Sequence, residues 1–311
     1  YNVANIVNAY NPGFTALGKF YDIGALFTER PWADIKPLQI HYRPEMIGFG
    51  YLVSTEVALS IWVFYLILRL QAVAAAAAGL DVAGFPFVQE QGLGAYLAMA
   101  ILLLWIARHH IADVLGKAVG TRPHVDDSDE PMSYRGALIA FVVGLAVTLA
   151  WVNAAGMALW LAVLYFALLL AVALVYARIR AEVGVPLIWM FPYFQHFKAI
   201  KYTLGTEPLQ KYGGLQSLTA FTSMVFLSRG YYPALIGYQA EGFRIARDTD
   251  IRQKSMSWLL VIALIVGLYV SVGLHLRDYY EYGSGGLNAQ GGWGYQIALT
   301  EYEAITTYQK G

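Results

Sequence analysis

Long apolar stretches separated by short polar segments dominate the pattern of this chain. An uninterrupted apolar stretch of about 20 residues can cross the hydrocarbon core of a bilayer as a helix, whereas one of about 10–14 cannot. Five stretches pass this test. They predict transmembrane helices over residues 46–70, 92–108, 136–152, 157–177 and 257–276.

Two further apolar segments are interrupted. Pro186 and Pro192 break residues 183–198, and the tripeptide 228–230 breaks residues 215–243. Each segment is either a broken span or a re-entrant hairpin, and the sequence leaves both alternatives open. The predicted fold is therefore all-α, a polytopic transmembrane helix bundle with five spans and two broken or re-entrant segments.

Charges near the ends of the spans predict which side of the membrane each loop faces, because Lys and Arg mark cytoplasmic ends. This rule places residues 71–91 outside and residues 109–135 and 244–256 on the cytoplasmic side. Three regions result. They are a cytoplasmic or interfacial segment (1–44), a transmembrane bundle (45–276) and an external tail rich in aromatic residues and glycine (277–311). The pattern is that of a multi-pass protein of the cytoplasmic membrane.

Composition supports a membrane protein and excludes other classes. Hydrophobic residues make up 58% of the 311 and charged residues only 14%, against about 25% charged in soluble domains. The formal net charge is zero and no basic cluster alternates with aromatic residues, so no nucleic-acid partner is expected. The chain begins at Tyr1 without an initiator Met, which indicates a piece of a longer protein.

The sequence predicts neither catalysis nor a bound metal or cofactor. It contains no serine elbow, no HExxH zinc motif and no phosphate-binding glycine loop, and it contains no cysteine. No two of its six histidines lie three or four residues apart within a span, so a metal or haem held by a helix pair has little support. A pigment or haem bound by His196 or His275 is kept as a third alternative.

Candidate binding residues lie at charges and helix breaks within the membrane. An unpaired Arg near the bilayer centre costs at least roughly 2.5–3.5 kcal/mol, and Arg229 lies at the second break. Glu56, about ten residues inside the first predicted span, is its candidate partner. Three roles are open for this pair: it stabilises the fold, binds a substrate or acts as a proton-coupled switch. If the break lies near an interface instead, the Arg229 side chain extends to the head groups and needs no such partner. The predicted substrate-binding residues are Glu56, Arg229, Tyr231, Tyr232, Tyr238, Gln239 and Glu241.

Two functions follow from these features. Paired helix breaks with charges inside the membrane are typical of secondary transporters, so the first hypothesis is a permease-like protein for a small solute. The second is a structural or accessory subunit of a larger membrane complex, without transport or catalytic activity. The expected partner is the lipid bilayer. The sequence leaves open whether the chain also binds other membrane subunits or a second copy of itself.

Three motifs carry a resemblance to a known family. They are Arg-Pro-Glu-Met-Ile-Gly-Phe-Gly-Tyr-Leu-Val at 43–53, Gly-Phe-Pro-Phe at 84–87 and Phe-Leu-Ser-Arg-Gly-Tyr-Tyr-Pro at 226–233. The chain resembles a family of large bacterial and archaeal polytopic membrane proteins known only as a domain of unknown function. Such proteins are loosely similar to oligopeptide-transporter-type carriers. The resemblance implies a bundle of spans with broken ones among them, and it implies no particular site residue.

Overall fold

The computed structural model describes residues 2–14, 20–41, 43–183, 192–229, 231–286 and 302–303. Within these ranges the chain is helical apart from two short paired strands, and it divides into two compact units. The first unit comprises Tyr1–Gln91 with Val183–Pro186, and the second comprises Gly92–Glu182 with Leu187–Gly311.

The first unit combines helices with a small antiparallel sheet. Its helices are α1 (Asn2–Tyr10), α2 (Pro44–Gly50), α3 (Thr55–Ala77) and the first residues of α4 (Val88–Ile106). Strand β1 (Phe20–Asp22) pairs with β2 (Gln39–His41), and two 3₁₀ turns, Ile23–Leu26 and Trp32–Ile35, lie between the strands. The sheet was not expected from the sequence, since both strands are only three residues long.

Side-chain hydrogen bonds hold this segment closed and attach it to α3. The Asp22 carboxylate accepts hydrogen bonds from the backbone N–H groups of Gly24 and Leu38, both at 3.0 Å. The Tyr65 hydroxyl on α3 accepts one from the Gln39 N–H at 3.2 Å and donates one to the Pro37 carbonyl at 3.4 Å. The segment thus packs beside the second half of α3.

The segment also meets the loop that follows α3. Arg30 forms ion pairs with Asp34 at 3.4 Å and with Asp81 at 3.5 Å. Residues 1–44 and 71–91 were predicted to face opposite sides of the membrane, whereas in the structure both contribute to the same end of α3. The rule based on positive charge does not register an Arg that is paired with carboxylates of the neighbouring loop.

The first membrane helix begins later than the sequence indicated. The span was predicted from residue 46, but a separate short helix ends at Gly50 and α3 begins at Thr55. The Ser54 hydroxyl caps α3 by accepting a hydrogen bond from the Val57 N–H at 3.4 Å. Hydropathy does not detect this break because the residues on both sides are apolar. Glu56 consequently lies in the first turn of α3, where an anion is favoured by the helix dipole, and not deep inside the helix.

The second unit is a helical assembly. Its elements are the rest of α4, then α5 (Arg108–Val119), α6 (Tyr134–Ala154), α7 (Leu159–Val183), α8 (Gln195–Leu204), α9 (Thr206–Ser223), a 3₁₀ turn (Met224–Arg229), α10 (Tyr231–Asp248) and α11 (Gln253–Gly286). Gly214, with φ of 76°, interrupts α9, and Gly283, with φ of 68°, interrupts α11. A positive φ is unfavourable for residues that have a Cβ atom but not for glycine, which explains why glycine occupies both positions.

Helix α7 lies at the centre of this unit. Within its most apolar 18 residues 44% are buried by other parts of the protein, against 0% for α11. The core packs α7 against α8, α9 and the 3₁₀ turn, with Phe197 stacked on Phe221 at 4.5 Å between ring centroids. The apolar faces that remain uncovered are those expected of helices surrounded by lipid.

Five helices are long and apolar enough to cross a membrane, as predicted. They are Thr55–Ala77, Val88–Ile106, Tyr134–Ala154, Leu159–Val183 and the stretch Gln253–Gly283 of α11. The second broken segment is also confirmed, since α9, the 3₁₀ turn and α10 replace one continuous helix. Of the first broken segment, residues 184–191 lie outside the described part, as does most of the tail beyond residue 286.

Candidate functional site

The buried face of α7 carries three polar side chains. Tyr165, Tyr176 and Arg180 are at most 4% exposed, although α7 is the most deeply embedded candidate span. Tyr176 and Arg180 are about one turn apart, and Tyr165 lies about three turns nearer the start of the helix. Because polar groups in membrane helices need partners, the contacts of these residues show which elements the fold brings to α7.

Arg180 pairs with a carboxylate on α10. Its Nη2 atom lies 2.6 Å from Oε2 of Glu241, and the guanidinium lies 5.0 Å from the centre of the Tyr238 ring. Arg180 is 4% exposed and Glu241 is 28% exposed. A charge-assisted hydrogen bond and a cation–π contact therefore stabilise the same buried guanidinium.

Gly237 allows α10 to approach α7 this closely. A Cβ atom at Gly237 would lie 2.6 Å from Cε1 of Tyr176 and 2.9 Å from Cγ of Arg180. Gly237 precedes Glu241 by four residues, so both lie on one face of α10. The glycine thus sets the distance between the helices at which the ion pair forms.

Arg180 lies just beyond the fourth predicted span, 157–177, and was not among the predicted binding residues. The neighbouring Arg178 is more than half exposed and pairs with Glu182 on its own helix. Residues two apart on a helix point in nearly opposite directions, so only one of these arginines can face the core. The sequence did offer one signal. Glu241 is a carboxylate in a mostly apolar run, and the sequence assigned it no partner.

Tyr165 joins α7 to the broken helix. Its hydroxyl donates a hydrogen bond to the Met224 carbonyl at 2.8 Å and lies 3.0 Å from the Ser228 hydroxyl. The Ser228 carbonyl accepts a hydrogen bond from the Phe194 N–H at 2.9 Å. A helix that ends inside a membrane protein leaves carbonyl groups without helical partners, and Tyr165 satisfies one of them where α9 ends.

His196 lies against the same tyrosine. It is 1% exposed, and its ring centroid is 5.5 Å from that of Tyr165. Neither ring nitrogen has a hydrogen-bond partner among the residues that the structure describes. α8 is not one of the five candidate spans, and burial lowers the pKa of the His196 imidazole from 6.5 to about 4. The ring is therefore neutral at physiological pH.

The structure brings two of the predicted binding residues together. Tyr238 and Glu241 both contact Arg180, which the prediction did not include. Gln239 is half-buried on the same helix, between them in sequence. The role of these residues in substrate binding stays a prediction, and Arg180, which two of them contact, was not part of it.

The pairing of Glu56 with Arg229 stays a prediction. Glu56 is exposed and belongs to the first unit, whereas Arg229 ends the 3₁₀ turn of the second unit. The side chains of Arg229, Tyr231 and Tyr232 lie outside the described part of the structure. Their role in binding stays a prediction.

An open cleft of about 750 Å³ lies where α7 ends beside α10. Ala240 and Arg244, the residues on α10 next to or one turn from Glu241, line it. Its charged lining includes Arg178, Glu182, Arg244, Arg247, Asp250 and Arg252. The partly exposed Glu241 is therefore next in sequence to a residue that lines this open, charged cleft. Across the described ranges, no group of three His, Asp or Glu residues is arranged to hold a metal ion.

Five apolar helices of membrane-crossing length, one of them carrying a buried ion pair, define the class as a multi-pass α-helical membrane protein. The chain belongs to a family of unknown function, DUF6785, whose model matches residues 1–311. No curated protein and no solved structure matches the chain.

Proposed function

We propose that the protein is a secondary carrier for a small solute, with the contact between α7 and α10 acting as a gate. The observation that carries this proposal is the Arg180–Glu241 ion pair, which joins a membrane helix to a helix lining a charged cleft. Ionisable residues buried in membrane proteins usually mark the path of an ion or solute, and Arg180 is buried near the end of α7, where a solute would enter.

The ion pair has the properties that a gate requires. Arg180 is buried, whereas Glu241 is partly exposed near the cleft, so a solute that carries a charge can reach the pair and compete for one partner. Removing one partner of a buried pair is costly, so the helices separate only when the solute supplies a replacement. The open and closed arrangements are then two states whose balance depends on the solute.

Beyond the gate, the broken helix supplies polar groups for the solute. The hydroxyls of Tyr165 and Ser228 and the imidazole of His196 lie together and are fully buried in this arrangement. Non-helical backbone at membrane depth is tolerated where it is enclosed by protein or lines a cavity, and carriers place their binding sites at such breaks. The proposal includes no catalytic step, cofactor or metal.

Cysteine accessibility tests this proposal, since the chain contains no native cysteine. Ser228→Cys is introduced into the full chain, which is then reconstituted in sealed vesicles. A membrane-impermeant thiol reagent is added first outside and then, in a second preparation, inside. A carrier opens to each side in turn, so the reagent should reach position 228 from both sides. Ser255→Cys, at the exposed start of α11, is the accessible control.

The gate is tested by adding Glu241→Gln to the Ser228→Cys variant. Loss of the ion pair should speed labelling from the side of the cleft and slow it from the other side, because the population of the state open to the cleft rises. Equal changes from both sides would refute alternating access. No labelling from either side, with or without Glu241→Gln, would overturn the carrier and favour the alternative of a non-transporting subunit.

A further inference from the structure

A second cavity lies in the first unit and is separate from the site on α7. It has a volume of about 570 Å³, within the range of about 300–1,000 Å³ typical of small-molecule sites. It is bounded by the second half of α3, the segment Arg30–Pro37 and the turn between residues 80 and 90.

Arg69, on α3, lines this cavity and has no acidic partner among the residues that the structure describes. Its Nε atom is buried and makes no hydrogen bond to any residue in the described ranges, and its guanidinium lies 5.2 Å from the centre of the Tyr65 ring. Arg30, which also lines the cavity, is paired with Asp34 and Asp81. Arg69 is therefore the arginine of this cavity whose guanidinium has no carboxylate partner among the described residues.

Beside its charged residues, the cavity has apolar walls. Ala72, Ala76 and Leu80 form one part of it, and Phe85 and Phe87 form another. The two phenylalanine rings meet edge to face at 6.0 Å between centroids. An apolar body would contact these side chains.

We propose that this cavity binds a small organic oxyanion, a carboxylate or phosphate attached to an apolar body. The guanidinium of Arg69 binds the two oxygens of the head group through paired N–H donors, and Lys36 adds a second positive charge at the cavity. The carboxylates of Asp34, Asp81 and Glu90 line the same cavity, so its three acidic residues balance its three basic ones and ligands of greater negative charge are disfavoured. This site does not depend on the carrier proposal, because its evidence lies wholly in the first unit.

Three ligands of similar shape but different charge test the site. Benzoate, neutral benzamide and cationic benzamidine are titrated against the purified full chain, and binding is measured by calorimetry. Benzoate should bind, benzamide more weakly, and benzamidine not at all. The Arg69→Gln variant should bind benzoate roughly 10- to 100-fold more weakly, as expected for loss of a charge-assisted pair.

The matched control is Arg108→Gln. Arg108 also lies against an aromatic ring, at 4.6 Å from that of Trp105, but it does not line this cavity. It should leave benzoate affinity unchanged. Circular dichroism melting of each variant without ligand separates a binding defect from misfolding, and Arg69→Lys should retain partial affinity because it keeps the charge.

Phosphatidylglycerol nanodiscs, compared with phosphatidylcholine nanodiscs, separate the two sources of an oxyanion. Competition with benzoate only in phosphatidylglycerol assigns the site to a lipid head group, and equal benzoate affinity in both assigns it to a free solute. Equal binding of benzoate and benzamide, preference for benzamidine, or an unchanged affinity in Arg69→Gln would each overturn the proposal.

Discussion

Replacing Tyr165 by Phe tests whether α7 is joined to the broken helix by its hydroxyl. The ring remains among Phe166, Phe221 and His196, so only the hydroxyl is lost. A typical hydrogen bond contributes about 1 kcal/mol, and a buried group left unsatisfied costs about 1–3 kcal/mol. Since the Tyr165 hydroxyl is hydrogen-bonded to both the Met224 carbonyl and the Ser228 hydroxyl, we expect Tyr165→Phe to lower the free energy of unfolding by about 2 kcal/mol.

The measurement is reversible unfolding in mixed micelles of a mild and a denaturing detergent, followed by circular dichroism. Ser228→Ala should lower the free energy of unfolding by about 1 kcal/mol, because the Tyr165 hydroxyl keeps its hydrogen bond to the Met224 carbonyl. The double variant should be less destabilised than the sum of the two, because both changes remove the same bond. Tyr269→Phe, on an exposed ring of α11, is the control and should change little. A loss below about 0.5 kcal/mol for Tyr165→Phe would refute the proposed link.

Two other sites give separate predictions. Gly237→Ala should destabilise the protein by about 1–3 kcal/mol because its new methyl group overlaps Tyr176, whereas Gly267→Ala, with nothing within 4 Å, should be neutral or slightly stabilising in the same unfolding assay. Burial lowers the pKa of His196 to about 4 in the folded protein. As the pH falls, the unfolded chain therefore binds a proton at a higher pH than the folded one does. The free energy of unfolding should be at its full value above pH 6.5 and decline towards pH 4. That decline is about 3 kcal/mol, and His196→Phe should remove it; an identical pH dependence in the variant would contradict a buried neutral ring.

The number and approximate place of the spans could be predicted from the sequence, because each requires only an apolar stretch of sufficient length. The start of α3 could not. Phe49, Tyr51 and Leu52 are apolar, yet α2 ends at Gly50 and the Ser54 hydroxyl caps a new helix. Helix caps depend on individual hydrogen bonds, which a hydropathy pattern averages away.

The partner of Glu241 could not be predicted for a different reason. α7 is apolar all round, so the sequence gives no preferred face, and nothing in it distinguishes Arg180 from the exposed Arg178. The distinction depends on how α7 is rotated, which is set by contacts with α10. Glu241 and Tyr238 were selected as candidates because they interrupt an apolar run, a signal that needs no knowledge of the neighbouring helix.

The rotation of α7 follows from the physics of lipid. Apolar surface gains little by moving from lipid to protein, so burial of Leu or Val does not select one face of a membrane helix. Close packing and polar contacts do. Gly237 provides the close approach, and the Arg180–Glu241 and Tyr165–Ser228 contacts would all be broken together by a rotation of α7. These residues both fix the resting arrangement and lie where a change of arrangement must begin, which is why the ion pair is the place to look for a gate.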